Sequence, residues 1–213
     1  MDDSAPHFYE PRNGHGLRHD PMSAIIAPRP IGWISSMSAA GVVNLAPYSF
    51  FNQFNYRPPI IGFASLGWKH SVANIAATRE FVWNLATRPL AEAMNASSAD
   101  VPADIDEFVL AGLEKAPCHL VAPPRVAASP ASFECRLTQL IRLTDSAGSE
   151  LDTWMVLGEV VGVHIAQDVL ENGVYQTVAA EPILRAGGMG DYFTIAEAQR
   201  FVMKRPRADA GGN

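Results

Sequence analysis

Lys69, His70 and Ser71 stand together immediately before a short apolar, helix-like run. A cation, an imidazole and a hydroxyl at a helix start, where backbone N–H groups lack carbonyl partners, suit a phosphate or another small anion. Ser71 reads equally as a plain helix N-cap. Upstream, the stretch 46–56 mixes Tyr48, Phe50, Phe51, Phe54 and Tyr56 with Ser49, Asn52, Gln53 and Asn55. A solvent loop does not normally carry so many rings, nor a core strand so many amides. The mixture suits the rim of a flat, amphipathic ligand, and it suits a subunit interface as well, since interfaces enrich the same residues. Arg185, just before Gly187-Gly188, is either a cation for an anionic ligand, with Tyr192 beside it, or half of a surface ion pair. His164 is either a residue that faces a ligand or a satisfied core or interface histidine. His119 reads as structural. Cys118 and Cys135 show no CxxC spacing, so neither a redox motif nor a zinc site is supported, and both read as packing residues.

The elements that must hold these groups are mostly strands. Short apolar runs at Met22–Ala27 and Ile31–Met37 are parted by Pro28-Arg29-Pro30, and Ser38-Ala39-Ala40-Gly41 reads as a turn into Val42–Leu45. Ile60–Ser65 and Phe81–Ala86 are further strands. Ser132–Leu143 alternates, with Phe133, Cys135 and Leu137 on one face and Glu134, Arg136 and Thr138 on the other, and slips near Gln139–Leu140 as a bulge would. Thr153–Ile165 is long and β-branched, with Gly158 and Gly162 where a barrel strand bends. Helices are expected over Ser71–Thr78, over Pro89–Ser97 after a Thr87 N-cap, and over Asp104–Lys115 with a capping-box-like start at Asp104. The pattern predicts a mainly β fold, a barrel with a few inserted short helices. Residues 1–21 read as an N-terminal arm, 22–203 as one domain, and 204–213 as a flexible tail.

Composition narrows the function classes. The chain has 213 residues, 48% of them hydrophobic and 18% charged, with a formal charge of −6. Such a chain can build a core, and its charge argues against nucleic acid as a bulk partner while leaving room for one local anion site. No apolar run reaches membrane-spanning length, and the acidic, polar N-terminus lacks the pattern of a signal peptide, so a cytoplasmic location is the default. Neither GxGxxG after a strand nor GxxxxGK[ST] occurs, which leaves a Rossmann nucleotide site and a P-loop unsupported.

Several separated motifs, in order, resemble the flavin reductase-like, FMN-binding split-barrel family, in the branch of flavoredoxin and nitrilotriacetate monooxygenase component B. They are Arg29-Pro30-Ile31-Gly32-Trp33-Ile34-Ser35-Ser36, Asn44-Leu45-Ala46-Pro47-Tyr48-Ser49-Phe50-Phe51-Asn52, Lys69-His70-Ser71, Phe81-Val82-Trp83-Asn84-Leu85, Asp106-Glu107-Phe108, Gly158-Glu159-Val160 and Arg185-Ala186-Gly187-Gly188 with Tyr192. The resemblance implies a split β-barrel homodimer with FMN near the subunit interface. It further implies hydride acceptance from NADH or NADPH, with electrons passed to a partner monooxygenase or to free flavin. The alternative is a flavoredoxin-like electron-transfer protein without NAD(P)H activity of its own. It assigns the flavin to Arg29, Ser35, Ser36, Met37, Ser38, Asn44, Ala46, Pro47, Tyr48, Ser49, Phe50 and Asn52. Ser65, Lys69 and Ser71 take the phosphate end, and Arg185 and Tyr192 serve the flavin or the nucleotide. The family commonly has Lys-Asp-Thr where this chain has Lys69-His70-Ser71; the serine keeps a hydroxyl, and the histidine removes a repulsive charge. No catalytic residue is implied, because the flavin does the chemistry. His164 is the one candidate for helping to place nicotinamide.

Overall fold

The computed structural model describes residues 5–206. Of the expected arm at 1–21, residues 1–4 lie outside the described residues, as do residues 207–213 of the expected tail at 204–213; most of 5–21 is exposed. Seven strands form one antiparallel sheet: β1 Gly32–Met37, β2 Val43–Tyr48, β3 Phe51–Tyr56, β4 Pro59–Leu66, β5 Glu80–Asn84, β6 Ala131–Thr144 and β7 Glu150–Ile165. Their order is β2-β1-β5-β6-β7-β4-β3. The two edge strands, β2 and β3, are consecutive in the chain, with only Ser49 and Phe50 between them. A link that short spans at most ~11 Å, so the two edges of the sheet must meet there. The Phe50 carbonyl accepts the Ala64 N–H from β4 at 2.8 Å, just inside that junction. The sheet therefore curls on itself, and the mainly β barrel expected from the sequence is a split barrel.

Packing follows the curl. Ile34, Tyr48, Phe63, Phe81, Trp83 and Val156 fill the inside. Trp33, Leu45, Met94, Phe108 and Ile183 make a second cluster on the outside of β1 and β2. Strand β1 is thus buried on both faces, its Ser35 and Ser36 included. Gly158 and Gly62 are glycines for lack of room. A Cβ on Gly158 would stand 2.3 Å from the Phe81 ring, and one on Gly62 would stand 2.4 Å from Leu157. Helix α2 (His70–Thr78) packs on the barrel through Val72 and Ile75.

Several expected elements change. Met22–Ala27 is not a strand: Met22–Ile25 is a short helix, α1, because Asp20 accepts the Met22 N–H and starts a turn after which no strand lies alongside. The irregular reading of 46–56 gives way to the end of β2, a two-residue link and the edge strand β3. Its outer residues are exposed, so hydrophobic alternation is missing there. The helix expected over Pro89–Ser97 is α3, Ala91–Ala96, and it starts after Leu90 rather than at Thr87, which is buried in a bridge to Pro182. Of Asp104–Lys115 only Glu107–Leu110 is helical, as α4. Asp106, not Asp104, caps it by accepting the Phe108 N–H, and Gly112 at φ 66° follows its end. In β6 the register shifts at Leu137/Gln139, beside the expected bulge, and also at Glu134/Cys135 and Arg142/Thr144. At Glu134/Cys135 the extra residue is Val161 of β7, so β6 keeps its alternation: Glu134 shares the outer face with Arg136, as expected, and is 1% exposed because the 119–121 segment covers it there.

Candidate functional site

The chain leaves β4 through a tight turn that aims the start of α2. Gly67 adopts φ +87°, its N–H donates to the Asp152 carbonyl at 2.8 Å, and the buried Ser65 hydroxyl donates to the Gly67 carbonyl at 2.9 Å. Lys69 then takes the N-cap position with extended backbone, and no side chain caps the helix. Ser71 is therefore not the N-cap. It lies inside the first turn, buried, with its hydroxyl donating to Asn44 Oδ1 at 3.4 Å.

This uncapped helix start lines a cleft of about 410 Å³ whose opposite wall is β2. Asn44, Ala46, Pro47 and Tyr48 face it together with Lys69 and Ser71. Strand β2 is an edge strand, so its outward backbone groups are not taken by another strand of the sheet. The Tyr48 ring packs on Phe63 at 4.4 Å between centroids, while its hydroxyl is buried without a hydrogen-bond partner. Burial raises the pKa of that hydroxyl, against the opposing effect of the Ser71 and Ser65 hydroxyls. A buried polar atom with no partner is uncommon in folded proteins, and here it borders a cleft that a polar ligand can enter.

Glu107 completes the wall. It is 4% exposed, and its Oε2 accepts the Leu45 N–H at 3.0 Å, which ties α4 to β2. Burial pushes its carboxyl pKa up, while the Leu45 N–H and the charge of His70 pull it down. The sequence reading missed Glu107 as a site residue, although its place one residue after the helix-capping Asp106 was a usable signal. It also missed Trp68 and the segment 97–101, which close the other side. The cleft can hold an anion and a flat ring. Among the described residues that line it, none is a nucleophile paired with a general base.

The remaining expected residues divide into groups. Ser35 and Ser36 are fully buried behind the cleft on β1; the Ser35 hydroxyl has no partner, and the Ser36 hydroxyl accepts from Asn74 at 3.3 Å. Met37 ends β1, and the Ser38 hydroxyl accepts the Val42 N–H in the hairpin turn. Arg29 is held by backbone carbonyls. Its guanidinium donates to the carbonyls of Ser23, Ile26 and Ser49 and lies over the Phe50 ring. Asn52 sits on the exposed edge strand β3, where its Oδ1 accepts the Gln53 N–H. Arg185 makes no ion pair among the described residues: it donates to the carbonyls of Asp191, Gly188 and Met189 and stacks on Tyr192. Tyr192 lines a different cleft, of about 480 Å³, on the far side of α3.

His164 lies on β7 in a third cleft, beside Arg125 and Ser129. Its Nε2 is 2.6 Å from Glu134 Oε1, and its ring stacks on His119 with centroids 5.4 Å apart. Glu134 also accepts the N–H groups of His119, Leu120 and Val121. Nearby, burial pushes the Cys118 thiol up to about 11, with the Glu134 charge adding to the effect, so the free thiol is not an ionised nucleophile at neutral pH.

Comparison with known proteins bears on the fold and the family. The family model described as "Flavin reductase like domain" matches residues 22–183. An uncharacterized protein of Deinococcus radiodurans is 34% identical over 201 residues, covering 89% of this chain and 86% of its own. The crystal structure of nitrilotriacetate monooxygenase component B from Bacillus cereus superposes with a TM-score of 0.80 at 27% identity, covering 95% of this chain and 98% of that one. A split-barrel-domain protein from Shewanella frigidimarina shares the fold at a TM-score of 0.75 and 21% identity, covering 86% and 90% of the two chains. No helix among the described residues is long and apolar enough to cross a membrane. The curled seven-stranded sheet, the cleft at its edge and the match across most of the chain place this protein in the flavin reductase-like family.

Proposed function

We propose that the chain binds FMN in the Lys69 cleft and acts as a flavin reductase that takes hydride from NADH or NADPH. The observation that carries this reading is the uncapped start of α2 facing a cleft that also holds the buried, unpartnered Tyr48 hydroxyl. Lys69, the Ser71 hydroxyl and the first N–H groups of α2 would hold the phosphate. The edge of β2 at Ala46–Tyr48 would present backbone groups to the ring system, and Tyr48 would find its missing partner. When bound, FMN supplies hydride acceptance and onward electron transfer. The protein's task is to orient the ring and fix the phosphate, which fits a cleft without a nucleophile–base pair. With FMN-loaded protein under argon, excess NADH or NADPH should bleach the yellow flavin absorbance. Colour that persists with both nucleotides overturns the reductase reading and leaves a flavoredoxin-like electron-transfer protein.

The electron acceptor on this reading is a partner oxygenase or free flavin, in keeping with the component-B name of the Bacillus cereus relative. The working unit is a homodimer. Phe54, Tyr56, Leu66 and Val163 are more than half exposed on the barrel, a burden that a second copy would remove. Light scattering should give a molar mass about twice the 23.0 kDa of one chain. A monomer at micromolar concentration would refute the dimer.

A further inference from the structure

We propose that Cys118, Glu134 and His164 form a zinc-binding site, separate from the Lys69 cleft. One ligand-competent atom from each, the thiol sulfur, a carboxylate oxygen and an imidazole nitrogen, lies within 4.8 Å of the other two. The three come from different parts of the fold. Cys118 lies in the segment between the short ladder strands Lys115–Ala116 and Arg125–Val126, Glu134 lies on β6, and His164 lies on β7. Glu134 and Arg136 share the outer face of β6, and the 119–121 segment that carries Cys118 alongside covers that face.

The surroundings are those of a prepared ligand set. Glu134 is 1% exposed, and three consecutive N–H groups, from His119, Leu120 and Val121, fix both of its oxygens at 2.6–3.1 Å. Such bonds orient a coordinating carboxylate in the way outer partners orient metal ligands generally. His119 stacks on His164 and limits the tilt of its ring. Glu134 Oε1 and His164 Nε2 are 2.6 Å apart, whereas two ligands on one tetrahedral zinc stand ~3.3 Å apart. Coordination therefore requires the imidazole to withdraw by well under 1 Å. His164 keeps some exposure and borders a cleft of about 440 Å³, so it has space in that direction.

The donor set selects the metal. A thiolate with an imidazole and one carboxylate favours zinc over magnesium or calcium, which take oxygen ligands. The thiolate and the carboxylate balance the dication, and the thiol proton leaves to solvent on binding. Water from the cleft is the fourth ligand. The spacing of 118, 134 and 164 matches no short cysteine motif, so no local pattern in the sequence announces the site. Zinc here would pin the 117–126 segment to the sheet.

Purified full-length protein, stripped with chelator and then equilibrated with zinc, should retain about one zinc per chain after gel filtration, read by elemental analysis. Cobalt in place of zinc should give a near-ultraviolet thiolate-to-metal charge-transfer band. Cys118→Ser should abolish that band and weaken cobalt binding at least ~100-fold, and it should leave the fold intact by circular dichroism. His164→Gln should weaken cobalt binding comparably. Protein that retains no zinc, or zinc retained equally by wild type and Cys118→Ser, as on the arm histidines, overturns the proposal. These measurements use flavin-free protein, so their outcome does not depend on the reductase reading.

Discussion

Replacing Lys69 and Ser71 together by alanine is expected to weaken FMN binding about 100-fold while changing riboflavin binding less than about threefold. The two ligands differ only by the phosphate, so the ratio isolates contacts at the start of α2. A hydrogen bond to a charged group is worth about 1.5–3 kcal/mol, and the variant removes two candidates, an ammonium and a hydroxyl, giving about 3 kcal/mol. The backbone N–H groups of α2 remain, which is why binding is weakened rather than abolished. Lys69 is exposed and Ser71 makes one long hydrogen bond, to Asn44, so the fold should tolerate both changes. Fluorescence titration with each flavin measures the two constants. Equal losses for FMN and riboflavin would move the phosphate away from Lys69.

The second large effect concerns stability. Glu134→Ala leaves the N–H groups of His119, Leu120 and Val121 without their acceptor and His164 without its partner, all around a buried position. Breaking such a buried cluster from one side costs about 4 kcal/mol, which lowers the melting temperature by on the order of 10 °C. The comparison is made in chelator, so that no metal contributes. Glu134→Gln adds the pH test. Burial pushes the Glu134 pKa up, but the His119 N–H, the His164 imidazole and the Leu120 N–H outweigh it, so the folded value lies below the ordinary range. The unfolded chain titrates at ~4.3, so the stabilisation is complete above that pH and is lost as the pH falls through the lowered folded value. Urea unfolding from roughly pH 7 down to 3 should show this acid loss in wild type and a shallower one in Glu134→Gln. A Glu134→Ala protein as stable as wild type, or identical acid slopes, would remove Glu134 from this role.

Both effects arise where local pattern and tertiary structure meet differently. The helix start after Lys69 was legible because its parts are contiguous: a cation and a hydroxyl before an apolar helical run. The helix start itself lies one residue from the expected place. Alternation gave the face of Glu134, opposite Cys135, but not its burial, because the 119–121 segment that covers it is distant in the chain. Strand β3 was missed as a strand because it is an exposed edge, where polar and aromatic residues replace the alternating pattern. Arg29 and Arg185 drew attention as cations, yet both guanidinium groups are taken up by backbone carbonyls that lie near them only in the folded chain.

The sequence alone therefore determined the class of fold, the family and the place of the Lys69–Ser71 turn before a helix, since each rests on hydrophobic period or on neighbours within a short stretch. Tertiary structure decided what depends on distant segments. It set Glu107 against β2, left the Tyr48 hydroxyl unpartnered beside the cleft, and brought Cys118, Glu134 and His164 together. Curling one sheet until β2 and β3 met is what created these neighbours, and the separations along the chain that it closes carry no local signal.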